Sequence, residues 1–397
     1  MTRVVVTGVG VISAAGDAPE PFWDALLAAK PLFTEARATP GTGILAAEVL
    51  VEPDWNALGV KASSCDRSAL FAVYAARQAL ARAGLEPPFE RPDRVAVILG
   101  NGAGGVCSVE EQYVRRYEQA QTRVHPMTVA KAMVSSSASW VSMATGARGP
   151  CFVTSSACAS AAHAIGTALQ FLRAGLADVA IAGGVEASLS NGALRAWDAM
   201  KIMSSTACRP FARGRDGLIL SEGAGVLVLE TAEHAARRGA RATVELAGFG
   251  SNADAGNLFA PDVEGMAAAV RLALADAGLT PEEIAYVNAH GTGTAANDKA
   301  ETEALTSVFG AGRAPPVSSI KGVAGHGLGA AGGIEAVATV MAIERGVAPP
   351  TANFDAADPD CPLDCIPNVP REMAIPAALS NSFAFGGLNA SLAFRRI

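Results

Sequence analysis

The chain contains an internal echo. Ala79-Leu80-Ala81-Arg82-Ala83-Gly84-Leu85 returns, with one exchange of charge, as Ala273-Leu274-Ala275-Asp276-Ala277-Gly278-Leu279. Each copy reads as the end of a helix stopped by glycine, the residue that enters the left-handed C-terminal turn without steric cost. Each then leads into an apolar run, which breaks at Gly100-Asn101-Gly102 in the first copy and at Ala289-His290-Gly291 in the second. A further echo pairs Thr154-Ser155-Ser156-Ala157-Cys158 with Val317-Ser318-Ser319-Ile320-Lys321. Small residues and a helix-forming stretch follow both. Two copies of one strand–helix unit are expected, spanning 1–235 and 236–397 and joined near residues 230–240. The echoes place Cys158, His290 and Lys321 at comparable strand-to-helix turns.

Short apolar runs alternate with alanine-rich stretches: Arg94–Leu99, Val179–Ala182, Gly225–Leu229 and Ile284–Asn288. This pattern predicts an α/β fold with a largely parallel sheet buried under helices, and sites where strands end. With 397 residues, 50% of them apolar and 17% charged, the chain can bury a large core. A net charge of −7 points away from nucleic acid as a partner. No apolar run is long enough to predict a membrane span. Cysteines number seven, and the start, Met1 to Gly8, reads as a strand rather than a leader. Reduced cytoplasmic thiols are expected, not a disulfide framework. Cys361 and Cys365 have no histidine near them in sequence, so no zinc site is expected.

Cys158 lies between an extended segment, Cys151–Ser156, and a helical one, Ala159–Ala174, in which Ala161, Ile165, Leu169 and Leu172 share a face. A thiol at a helix start gains from the dipole and the free N–H groups, which predicts a lowered pKa, raised reactivity and a place for an oxyanion. The other reading of such a cysteine is a small buried thiol. Two of the five histidines sit in glycine-rich loops, His290 in Asn288–Thr294 and His326 in Lys321–Gly332. Glycine beside a ring admits a ligand, and two neutral imidazoles can donate to a carbonyl oxygen that becomes an enolate. Lys321 is placed to add charge, with Glu335 on the next helix as its partner. His125, His163 and His234 lack such loops, and His163 is expected to pack or cap. No known metal-ligand spacing appears.

Taken in order, Cys158 within Ser155–Ser160, His290 in NAHGTGT and Lys321 to His326 in KGVAGHGLGAAGG resemble the elongating β-ketoacyl-acyl-carrier-protein synthases of the thiolase superfamily. Arg209-Pro210-Phe211, Glu222-Gly223-Ala224-Gly225 and the tail from Asn381 to Asn389 match as well, so the resemblance covers essentially the whole chain. It implies a thiolase-like five-layered αβαβα fold built from two similar halves and usually dimeric. It implies acyl transfer to Cys158, then decarboxylation of malonyl-carrier protein with help from His290 and His326, with Lys321 and Glu335 as the supporting pair. Backbone N–H groups of Cys158 and Phe385 would form the oxyanion hole, with Phe385 also the gate. Thr292 and Thr294 match pantetheine-binding threonines, and Asp298 and Glu301 match supporting carboxylates. Arg67 and Arg123 sit where the family docks its acidic carrier protein; Arg195 and Lys201 are suggested by local charge alone. No cofactor bound by the enzyme itself is implied, since the substrates ride on the carrier's phosphopantetheine.

Three departures from the fatty-acid members stand out. Ser204–Cys208 is short before the Arg-Pro motif. Asp254 is kept, but Asn257 replaces a frequent histidine. Ala103 stands where a branched residue floors the acyl pocket. Together they suggest polyketide, polyene or another specialised acyl chain. The competing readings are a non-catalytic chain-length partner of a ketosynthase heterodimer, which lacks the nucleophile, and a degradative thiolase, which uses two cysteines. Whether the dimer is homo- or heteromeric stays open.

Overall fold

The computed structural model describes residues 2–397. The first half supplies strands β1 (Val4–Ser13), β2 (Val95–Gly100), β3 (Cys151–Thr154), β4 (Val179–Glu186) and β5 (Gly223–Thr231). The second supplies β6 (Val244–Ala253), β7 (Tyr286–Asn288), β8 (Val317–Ser318), β9 (Ala377–Ala384) and β10 (Leu388–Arg396). They form one hydrogen-bonded series in the order β8-β7-β9-β10-β6-β1-β5-β4-β2-β3. The order is symmetric about the β6/β1 seam, and so are the directions. β1 and β4 run antiparallel to β5, as β6 and β9 do to β10. β2 is parallel to β4 and β3, as β7 is to β9 and β8. The sheet is therefore mixed, which corrects the expectation of a largely parallel one. Continuous apolar runs report burial on both faces and carry no information about direction.

Helices α1 (Arg67–Ala83), α2 (Ser160–Arg173), α3 (Val263–Ala277), α4 (Ala295–Phe309) and α5 (Ala331–Arg345) complete the layers. α1 covers the outer face of β1 and β5, and α3 covers β6 and β10. α2 and α5 lie against each other between the two half-sheets, giving the five-layered αβαβα thiolase fold. Ala161, Ile165 and Leu169 of α2 are fully buried, and α5 is buried along nearly its whole length. A helix apolar all round belongs in a core of this kind.

The sequence echo has a structural cause. Gly84 (φ 64°) and Gly278 (φ 65°) end α1 and α3 in the same left-handed turn. In each, the next N–H, of Leu85 or Leu279, donates back to Leu80 or Leu274. The outer helices also lie directly on glycines of the strands beneath. A methyl at Gly10 would stand 2.0 Å from the Ala75 carbonyl oxygen, and one at Gly250 would stand 2.1 Å from that of Ala269. Among the described residues no helix is long and apolar enough to cross a membrane.

Candidate active site

Cys158 sits on a strained elbow. β3 stops at Thr154, and Ala157 adopts φ 48°, a left-handed conformation that costs an alanine roughly 1–2 kcal/mol. One 3₁₀ turn, Ala157–Ala159, then runs into α2. Ser160 holds the elbow closed: its hydroxyl accepts from the Ser156 N–H at 2.9 Å and donates to the Ala157 carbonyl at 2.7 Å. Cys158 is 5% exposed, and its Sγ lies 3.1 Å from His326 Nε2. Burial pushes the thiol up to about 12, although the Lys321 charge works in the opposite direction. The expectation of a lowered pKa is thereby corrected: the elbow places the sulfur at a helix start, but it does so inside the core, and desolvation outweighs the nearby positive charge.

His290 follows β7 on a loop held from behind by α4. Glu301 accepts the N–H groups of His290 and Gly291, both at 2.8 Å. Asp298, one turn earlier, accepts those of Phe211 (2.7 Å), Thr292 (3.1 Å) and Gly293 (3.2 Å). Burial raises both carboxyls, that of Glu301 to about 7. The Lys321 ammonium donates to the His290 carbonyl at 2.6 Å and pairs with Glu335, all of it buried. Burial, and after it this ammonium, hold His290 and His326 well below the ordinary histidine range, so both rings are neutral. The rings stand edge to face with centroids 5.4 Å apart.

The hydrogen-bond pattern assigns a tautomer to His326. Its Nδ1 faces the Leu328 N–H at 3.3 Å and must accept, so the proton of the neutral ring is on Nε2, toward Cys158. Leu328 takes φ 47° to present that N–H. The ligand atoms of Cys158, His290 and His326 lie within 4.8 Å of one another, a spacing that could also hold a soft metal ion. The Lys321 charge beside them opposes a dication.

Lys321→Met should leave the Glu335 carboxylate buried and unpaired, costing about 3–5 kcal/mol. The denaturant midpoint measures this, and adding Glu335→Leu should recover most of the loss.

These groups open into a cavity of about 600 Å³ lined mainly by apolar side chains. The Phe385 ring stacks on Trp197 (6.0 Å, 19° between planes) and meets Phe259 edge-on at 5.6 Å. The Thr292 and Thr294 hydroxyls are 2.9 Å apart, and both residues line the cavity. The loop from Asp254 is latched to the Phe385 loop: the Asp254 N–H donates to Gly387 and the Gly386 N–H to Leu258. The Asn257 side chain accepts from the N–H groups of Phe259 and Ala260, so it shapes its own loop.

Two sequence expectations need revision. Ala103 is exposed on the single chain and is not among the residues that line this cavity. Arg67 is not a free surface cation. Its guanidinium is held by Glu222 (3.0 Å), Glu52 (2.8 Å) and the Val49 carbonyl (2.8 Å). Arg123 and Arg195 are exposed, and Lys201 stands at the cavity. His163 packs as expected, on Phe249 and between the Ser156 and Ser251 hydroxyls. Sequence reasoning missed Trp197, Leu328 and Glu186; only Glu186, a lone carboxylate ending the apolar strand β4, left a signal.

Residues 1–235 match the model of the β-ketoacyl synthase N-terminal domain, and residues 242–355 that of the C-terminal domain. Nodulation protein E of Rhizobium sp. (strain N33) is 45% identical over 400 residues, which are 100% of this chain and 99% of that protein. The structure of the ishigamide ketosynthase/chain length factor superposes with a TM-score of 0.92 at 33% identity, covering 100% of this chain and 99% of that one. A type II polyketide synthase ketosynthase, AntDE, solved with its acyl-carrier protein AntF and bound to the hexaketide, gives 0.90 at 32% identity, with coverage of 100% and 99%. The chain belongs to the β-ketoacyl synthase family, acyltransferases that form carbon–carbon bonds between acyl groups carried as phosphopantetheine thioesters and need no separate cofactor.

Proposed function

We propose that this chain condenses malonyl-acyl-carrier protein with an acyl group held on Cys158, by decarboxylative Claisen chemistry. The observation that carries the reading is the His326 Nε2–H placed 3.1 Å from the Cys158 sulfur, in a site where both imidazoles are neutral. The Cys158 sulfur takes the acyl group, and the departing carrier thiolate takes the thiol proton. Malonyl-carrier protein then loses CO2. His290 and His326 donate to the enolate oxygen that forms, and the enolate carbon attacks the acyl carbonyl. The backbone N–H groups of Cys158 and Phe385 receive the resulting oxyanion, and collapse returns the sulfur. Thr292 and Thr294 hold the pantetheine arm, and Phe385 gates the sulfur. A chain-length partner, defined by loss of the nucleophile, is disfavoured by the Cys158–His326 contact.

The product we favour is a specialised polyketide, polyene or fatty-acid-like chain, made in the cytoplasm. The departures at Ser204–Cys208 and Asn257, and the likeness to the ishigamide and polyketide ketosynthases, support it. The partners are acyl carrier protein and a second chain of the same fold, either a copy or a chain-length factor. Incubation with a panel of acyl-carrier proteins, followed by intact-mass analysis, tests the reading: Cys158 should gain one acyl class and release a β-ketoacyl product when malonyl-carrier protein follows. Absence of any acyl adduct would overturn it.

Docking should rest on exposed cations: Arg123 is exposed, and Lys201 is exposed with only a long, 3.9 Å pairing to Asp198. Arg123→Glu with Lys201→Glu is expected to raise the KM for carrier-bound substrates several-fold and flatten its salt dependence, with kcat nearly unchanged. An unaltered KM would remove both residues from the docking surface.

A further inference from the structure

Strand β4 is apolar up to its last residue, Glu186, which is fully buried. Glu186 Oε2 accepts two backbone N–H groups that are far apart in sequence, Gly102 at 3.0 Å and Gly329 at 3.2 Å. Gly102 lies in the turn after β2, in the first half. Gly329 lies three residues past His326, in the second. A methyl at Gly102 would stand 2.7 Å from Oε2, and one at Gly329 would stand 2.8 Å from it, so both turns lack a side chain where the carboxylate passes. Oε1 is buried with no hydrogen-bond partner among the described residues, so the carboxylate's hydrogen bonds run through Oε2 to the two turns.

The residue between His326 and this anchor is the strained one. Leu328 is left-handed, and its N–H fixes the His326 tautomer. A leucine relaxes out of that conformation unless its neighbours prevent it. The Gly329 N–H held by Glu186 is the adjacent restraint.

We propose that Glu186 is a positioning residue, whose carboxylate pins the Gly327–Gly329 turn so that the Leu328 N–H stays on His326 Nδ1 and the proton stays on Nε2. Glu186 makes no hydrogen bond to Cys158 or to either histidine ring; it acts through the turn. Without the anchor the Nδ1–H tautomer gains population. That form presents a lone pair to the developing enolate oxygen, where a donor is needed. The proposal rests on the reading of His326 as that donor.

Two variants separate reach from charge. Burial raises the Glu186 carboxyl to about 7; Glu186→Gln keeps an acceptor oxygen at the same distance and cannot ionise. Glu186→Asp keeps the charge and is too short to meet both N–H groups. Malonyl-carrier decarboxylation and acylation of Cys158 are measured for each, beside thermal unfolding. Glu186→Gln is expected to decarboxylate within about fivefold of wild type. Glu186→Asp is expected to lose roughly 10- to 100-fold, with acylation within about threefold. The ¹⁵N spectrum of the His326 ring should show protonated Nε2 in the wild type and Gln variant, and a tautomer mixture in the Asp variant. Decarboxylation and acylation falling together, the Gln variant faring worse than the Asp, or an unchanged tautomer in the Asp variant would each overturn the proposal. Wild-type decarboxylation by His326→Ala would instead sink the reading of His326 itself, and the ¹⁵N comparison would still judge Glu186.

Discussion

Cys158→Ala is expected to abolish condensation. On the proposed mechanism the sulfur does two things that alanine cannot. It takes the acyl group covalently, and it holds that group beside the place where the enolate forms. Losing the first removes the intermediate; losing the second turns attack on a fixed carbonyl into an encounter with a free thioester. Effective molarities for oriented groups reach about 10⁵–10⁸ M, so the rate should fall by several orders of magnitude. Decarboxylation should outlast condensation, because His290 and His326 stay in place. Release of CO2 and formation of β-ketoacyl product, followed side by side, check this. A Cys158→Ala enzyme that elongates at near wild-type rate would refute the assignment.

Removing either imidazole should strike the other half-reaction. His290→Ala or His326→Ala is expected to slow malonyl decarboxylation by about 10²–10³-fold, the usual loss for one donor to an oxyanion. The double variant should cost less than the product of the two, since the donors share one oxygen. Cys158 acylation should survive better. Equal and complete loss of acylation in both single variants would show the roles to be misassigned. Both histidines titrate below the ordinary range, first through burial and then through Lys321. The neutral donor form therefore persists as the pH falls through 6.5, the ordinary histidine value. Lys321→Met removes the second of these causes. It should move the acid limb of the decarboxylation profile upward, toward the ordinary value.

What the sequence disclosed was local chemistry in fixed order. The glycine-capped echo named the two halves because Gly84 and Gly278 do the same mechanical job. The small residues around Cys158 foretold the elbow, and the glycines around His290 and His326 foretold loops that approach a ligand. Partnerships made across the fold were harder to see. Glu222 lies far from Arg67 in sequence, and only folding shows that it takes up the arginine's charge. Ala103 lies in the turn after β2, exposed on the single chain and apart from the cavity at Cys158, a placement its sequence neighbours do not record. The helix start that should acidify Cys158 was legible, but the depth at which the core holds it was not. Glu186 showed in sequence only as a lone carboxylate ending an apolar run; its partners are two backbone amides, which no side-chain pattern records.

The seam between the halves has a consequence for how the enzyme comes into being. β6 and β1 meet through only two residue pairs, Val5 with Glu245 and Val6 with Val244, so α2 and α5 carry most of the contact between the halves. Cys158 belongs to one side of the seam, while His290, Lys321 and His326 belong to the other. A ribosome that has released only the first half has made the thiol without His290, Lys321 or His326. Docking therefore does two things at once: it buries the thiol, which raises it to about 12, and it brings the two histidines and the lysine to it. One half carries the proposed nucleophile, and the other carries the histidines and the lysine that adds to burial in keeping them neutral.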